Sequence, residues 1–194
     1  MKIGELSLES QELLGRLRES AQSTEEKERF LAAMDALKFI AATGQSLDFE
    51  DYRNSLDAKA PPLAIEAFKT REEADAWLKG HPRPPHLAYV LIAGEYHVVM
   101  HVPELNRRRL ISHPVLEFYL ADMIRDGIPA PVATFDTREE AGAWLNHQPE
   151  PPRQVFIQIA GEPYLVVYHH RINLRAFYPT SMAAMPEHPG ETEN

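Results

Sequence analysis

The sequence predicts an α+β protein built as a tandem duplication of an α-β-α-β-β unit, about 67 residues per copy, with pseudo-symmetry and a preceding N-terminal helical hairpin. Three observations predict it. Shifted by 67 positions against itself, the chain is identical at 19 of the 44 positions between 68–111 and 135–178, without a gap. The matches include Thr70 to Ala74 on Thr137 to Ala141, Trp77 on Trp144, Ala93-Gly94-Glu95 on Ala160-Gly161-Glu162, and Asn106 and Arg108 on Asn173 and Arg175. Within each copy, a helix-start signature precedes a hairpin signature. Residues 1–44 have helical periodicity but no counterpart. The organisation read from this is an N-terminal helical region at 1–44, copies at 45–111 and 112–178, and a disordered tail at 179–194.

In the N-terminal region Ser7 is the candidate cap of a first helix with Leu13, Leu14 and Leu17 inward. Ser23 and Glu26 form a capping box, in which the hydroxyl and the carboxylate each accept from a free N–H at the helix start. It opens a helix with Phe30, Met34, Leu37 and Ala41 on one face, closed by Gly44. Each copy then begins with a helix. The first starts near Asp48, with Phe49, Tyr52 and Leu56 in line; the second starts at Pro114, with Leu116, Tyr119, Leu120 and Met123, and ends at Gly127. Prolines at 61, 62, 129 and 131 bar further helix, and short strands are expected over 64–68 and 132–135.

Thr70 with Glu73, and Thr137 with Glu140, repeat the capping box and open helices whose apolar edges carry Trp77 and Trp144, read as core packing. Pro-rich links lead into hairpins with strands 87–92 and 97–102, then 154–159 and 164–169. Pro163 lacks an N–H, so the second turn cannot close from Ala160 to residue 163. The closing bond is expected one residue away or at a bulge.

Composition excludes several chemistries. Without cysteine there is no disulfide, thiolate zinc site, iron–sulfur cluster or cysteine nucleophile. The longest apolar run, Leu87 to Ala93, falls far short of the ~20 residues of a membrane helix. Met1 to Glu5 lack the apolar core of a signal peptide, so a cytoplasmic location is expected. The 29 acidic and 20 basic side chains give a formal charge of −9. Both signs are interspersed along the chain, as on a solvated surface. The basic run Arg107-Arg108-Arg109 is too short for a nucleic-acid footprint by itself.

No two of the nine glycines lie closer than 11 positions, so no phosphate-cradling loop is expected, and neither the nucleophile elbow nor the His-Glu-x-x-His pair occurs. His97 and His101 have metal-pair spacing only on a helix. On a strand they stand ~13 Å apart, too far to share an ion. Their counterparts are Tyr164 and Tyr168. His169 and His170 point to opposite faces. Asn106 and Arg108, repeated as Asn173 and Arg175, read either as a turn with an arginine bonding nearby carbonyls or as an anion site used twice.

These features favour a non-catalytic cytoplasmic module that binds another protein, of the inhibitor or immunity-antidote kind, with no cofactor and no catalytic or metal residues. His97, His101, Tyr164, Tyr168, Arg108 and Arg175 are its candidate contacts, because rings with an apolar body and a polar tip suit a surface that is alternately wet and dry. A homodimer is an open alternative. Two rival readings are a small metal-dependent hydrolase using histidines gathered by folding, and a nucleic-acid binder working through the hairpin sheets, which the negative charge disfavours.

Overall fold

The structure, a computed structural model, describes residues 3–148 and 152–184. The chain divides into two compact units, Met1–Lys59 and Ala60–Asn194. The opening helix of the first sequence copy lies in the first of these units, with the N-terminal helices.

The first unit contains α1 (Ile3–Ser20), α2 (Thr24–Ala42) and α3 (Ser46–Asp57). α1 starts before Ser7, which lies within the helix and not at its cap position. Leu14 is half-buried, but Leu13 and Leu17 are 50% and 40% exposed, not inward as expected. The Ser23–Glu26 capping box starts α2 as expected. Phe30, Met34 and Leu37 are half-buried, with Ile40 in place of the exposed Ala41. Gly44 follows the helix at φ +72 and donates to the Ala41 carbonyl. In α3 only Ser55 is buried.

The second unit carries two mixed four-stranded sheets. The first comprises β1 (Ala64–Phe68), β2 (Tyr89–Ile92), β3 (Glu95–Val102) and β4 (Arg107–Ser112), in that order. β1 lies parallel to β2, and the remaining pairs are antiparallel. A parallel pair needs a crossover, and α4 (Arg71–Gly80) provides it. α5 (Val115–Met123), with Pro114 at its cap position, joins the sheets. The second sheet repeats the order with β5 (Thr134–Phe135), β6 (Gln154–Ile159), β7 (Glu162–His169) and β8 (Leu174–Pro179), its crossover being α6 (Arg138–Asn146). β4 and β8 are additional to the α-β-α-β-β pattern, each entered through a one-turn 3₁₀ helix. The tail expected to be disordered starts instead as the last residue of β8 and a 3₁₀ turn over Thr180–Met182. Its remainder beyond residue 184 lies outside the described residues.

The helix starts behave as their sequences demand. The Thr70 and Thr137 hydroxyls accept from the N–H groups of Glu73 and Glu140. Glu140 accepts in return from Thr137, whereas Glu73 reaches one residue further, to Lys69. Both hairpins close around two residues, Ala93-Gly94 and Ala160-Gly161, all at positive φ, the geometry that follows the right-handed strand twist. The second closes from Ile159 to Glu162, one residue from the forbidden bond and without a bulge. Pro163 then sits opposite Gln158, where the antiparallel ladder asks for no N–H.

Three clusters fill this unit. Ala74 and Leu78 of α4 cover Val90, Ile92, Val99 and Leu110 of the first sheet. Ala141 and Leu145 of α6 cover Ile157, Ile159 and Val166 of the second. Trp77 and Trp144 are half-buried beside them, tilted against Phe68 and Phe135 at 5.4 and 5.6 Å. The opposite faces share the third cluster. Leu91 and Tyr96 from one sheet meet Phe156, Leu165, Val167 and Tyr178 from the other, with Leu116 and Leu120 of α5 among them.

Candidate functional site

Polar chemistry in the second unit gathers where the sheets share their core. Alternation along β3, β7 and β8 turns Tyr96, His169 and Tyr178 to that side, and all three are buried. The His169 Nε2 stands 3.1 Å from the Tyr178 hydroxyl, and the Tyr96 ring packs 6.1 Å from the imidazole. The Tyr96 hydroxyl donates to the Pro62 carbonyl at 2.8 Å, and the Tyr119 hydroxyl to the Gln154 side chain. Burial pushes the Tyr96, Tyr119 and Tyr178 hydroxyls well above the usual tyrosine range. Burial, helped by the neighbouring His170, pushes His169 down to about 4. All four are therefore neutral near pH 7. With the imidazole accepting from Tyr178, each group has the partner that a buried polar atom requires, which is the arrangement of a structural junction.

Beside this junction lies a cleft of about 50 Å³ lined by Glu95, Tyr96, Ser112, His113, Leu116, Glu117 and Met182. It has room for a few water molecules and falls well below the ~300 Å³ of a small-molecule pocket. The His113 Nδ1 is buried without a hydrogen-bond partner, but its ring packs edge-on against Tyr89 at 5.3 Å. Among the described residues no three histidine, aspartate or glutamate side chains group as a metal site.

The residues singled out from sequence are engaged by the chain itself. His97, Val99 and His101 lie on the strand face that α4 covers. His97 is only 7% exposed, and its Nδ1–H donates to the Glu95 carbonyl at 3.1 Å, which leaves little surface for a partner. His101 is half-buried, its backbone N–H bonded to the His86 ring. Tyr164 and Tyr168 are half-buried beside α6, their hydroxyls donating to Glu162 and Asn173.

Asn106 and Asn173 take the left-handed conformation, at φ 46 and 48, and turn the chain into β4 and β8. Arg108 then donates to the carbonyls of Lys79, His81 and Pro82, at the C-terminal end of α4 where a cation meets the negative end of the helix dipole. Arg175 reaches Asn146, the last residue of α6, and lies over the Tyr168 ring. In both copies the Asn-x-Arg pair thus makes a turn and an arginine tie to the crossover helix.

The structure also exposes residues that sequence reasoning missed. Every buried hydrophobic side chain among the described residues lies between Ala64 and Tyr178. The first unit instead exposes Leu8, Leu13, Leu17, Phe39, Leu47, Tyr52 and Leu56, from 40% at Leu17 to 74% at Leu47. Periodicity gave no signal for this: Leu13, Leu14 and Leu17 share one side of α1, and Phe49, Tyr52 and Leu56 one side of α3, as they would on buried faces. No helix among the described residues is long and apolar enough to cross a membrane. Compared with models of protein families, with curated proteins and with solved structures, the chain matches none, and its function is read from its own residues.

Proposed function

We propose that the protein is a non-catalytic protein-binding module whose contact surface is the helical unit 1–59. One observation carries this. Among the described residues the unit exposes seven large apolar side chains and contains none of the buried hydrophobic ones, so it would gain by covering those side chains. The second unit, with three apolar clusters, is the scaffold. Twelve acidic and eight basic side chains among residues 1–59, and −9 over the chain, suit a basic partner protein, as an inhibitor or antidote role requires.

We further infer that the two sheets descend from one duplicated unit. Support comes from the 19 identities at a spacing of 67 and from matching left-handed residues at Ala93 and Ala160, Gly94 and Gly161, and Asn106 and Asn173.

The test is position-resolved photo-crosslinking in cells, with the label at Leu47 or Leu56 and, as controls, at the equally exposed Leu87 or Leu105 of the second unit. A protein crosslinked from the helical positions and lost in Leu47→Asp/Leu56→Asp is the expected result. Crosslinks confined to the control positions overturn the proposal.

A further inference from the structure

We propose that Asp126–Gly127, in the turn after α5, is a site of spontaneous covalent modification, where the backbone rearranges from the aspartyl to the isoaspartyl form. The proposal is independent of the binding reading. The chain has eight aspartates and five asparagines, and Asp126 is the only one of them followed by glycine. The rearrangement brings the backbone nitrogen of the following residue onto the side-chain carboxyl carbon. A side chain on that residue crowds the approach, and glycine has none. The other aspartates precede alanine, phenylalanine, tyrosine, methionine or threonine.

The structure leaves this pair open to the reaction. α5 ends at Met123 with Ile124 at its cap, and Arg125 to Val132 are all exposed. Asp122 is tied to Arg125 at 2.9 Å, whereas no hydrogen bond or ion pair among the described residues holds the Asp126 carboxylate. Gly127 sits at φ +110, and a Cβ there would meet nothing within 4 Å, so no packing resists movement of the chain. One bond opposes the reaction: the Gly127 N–H donates to the Ile124 carbonyl at 2.9 Å. A single bond at the exposed end of a helix opens at little cost. In the first step the Gly127 nitrogen loses its proton and bonds the Asp126 Cγ, a Cγ–O bond breaks, and water leaves from the protonated carboxyl group. Water then adds to the resulting succinimide. Cleavage between Cγ and the nitrogen restores aspartate. Cleavage between the α-carbonyl carbon and the nitrogen gives isoaspartate, with an extra methylene in the backbone and a free α-carboxylate. Water is released and taken up again, so the mass is unchanged and no other reactant is needed.

The test ages the full chain in neutral buffer. An isoaspartyl methyltransferase, which transfers the methyl group of S-adenosylmethionine to the new α-carboxylate, should label the chain increasingly with age. Electron-transfer fragmentation of its peptides should place the isoaspartate at Asp126 and not at Asp136. Asp126→Glu, whose longer side chain would have to close a six-membered ring, should lose the label with far-UV circular dichroism unchanged. Gly127→Ala should slow labelling several-fold. A peptide spanning 122–132 gives the rate without the fold. A full chain that keeps Asp126 as aspartate while the peptide converts overturns the proposal, because the bond to Ile124 would then be protecting the site. Conversion of neither, or labelling that survives in Asp126→Glu or keeps its rate in Gly127→Ala, overturns it as well.

Discussion

α3 and α5 occupy equivalent places in the sequence, 67 residues apart, and have opposite fates. Phe49, Glu50 and Tyr52 of α3 align with Leu116, Glu117 and Tyr119 of α5. Yet α5 sends Leu116 and Leu120 into the core shared by the two sheets, while α3 packs with α1 and α2 and leaves Leu47, Tyr52 and Leu56 exposed. The difference lies in a few side chains. Where α5 has Phe118 and Leu120, followed by Ile124 at its cap, α3 has Asp51, Arg53 and Asp57. Leu120 is fully buried. An arginine in its place would carry an unpaired charge into an apolar core, at a cost that no helix propensity recovers. One such exchange is enough to bar α3 from a place like that of α5, and it frees α3 to offer an apolar surface elsewhere.

The sharpest way to break this comparison is truncation. Leu120→Ala should destabilise the second unit by about 2–5 kcal/mol, and Leu56→Ala should stay within about 0.5 kcal/mol. Urea melts followed by tryptophan fluorescence report on the second unit, which holds Trp77 and Trp144, and melts followed by far-UV circular dichroism report on the helices of the first. Similar losses for the two variants would erase the distinction between the helices.

The next largest effect concerns the sheets. His169 stands where the first copy has Val102. Folding lowers its pKa from 6.5 to about 4, so the unfolded chain binds the extra proton more readily. The stability linked to His169 is complete above pH 6.5 and is lost as pH falls toward 4, by up to ~3 kcal/mol. In His169→Val, stability measured between pH 6.5 and 4.5 should lose most of that slope. An unchanged slope would place the acid sensitivity elsewhere.

The smallest effect tests likeness between the copies. Ala93 and Ala160 hold φ of 51 and 49, a region that costs an alanine about 1 kcal/mol or more. Ala93→Asn and Ala160→Asn should each raise stability by about 0.5–1 kcal/mol. Equal gains in melts would sharpen the parallel between the hairpins, and a gain at one site only would limit it.

What was legible in the sequence was local. The capping boxes at Ser23 and Thr137, the Thr70 side-chain cap, the strand Ala64–Phe68 and the Ala-Gly turns could be read because a few neighbouring residues set their geometry. β4 escaped because Arg107, Arg109 and Ile111 share one side of an edge strand, where outward charge is normal and apolar alternation is weak. The candidate contacts failed to show their surroundings for a different reason. Strand alternation says that His97, Val99 and His101 share a face, but not which face α4 will cover. The exposed helical surface was hidden by the repeat itself, since likeness at a spacing of 67 suggested that α3 and α5 would pack alike, and the contrast of Arg53 with Leu120 was left unused.

The mixed pairing of each sheet sets an order of assembly. β2, β3 and β4 follow one another through a two-residue turn and a single 3₁₀ turn, so their ladder closes over short stretches of chain. β1 joins only across the whole of α4, and β5 holds just two residues beside β6. Closing the longer loop costs more entropy, and the parallel ladder returns less per residue. The three-stranded meanders therefore form first and the parallel strands dock afterwards, bringing the crossover helix with them. In the native protein the same hierarchy runs in reverse. Amide protons bonded across β5 and β6 should exchange with solvent before those between β7 and β8, making the thin parallel edge of the second sheet the first place where the fold opens.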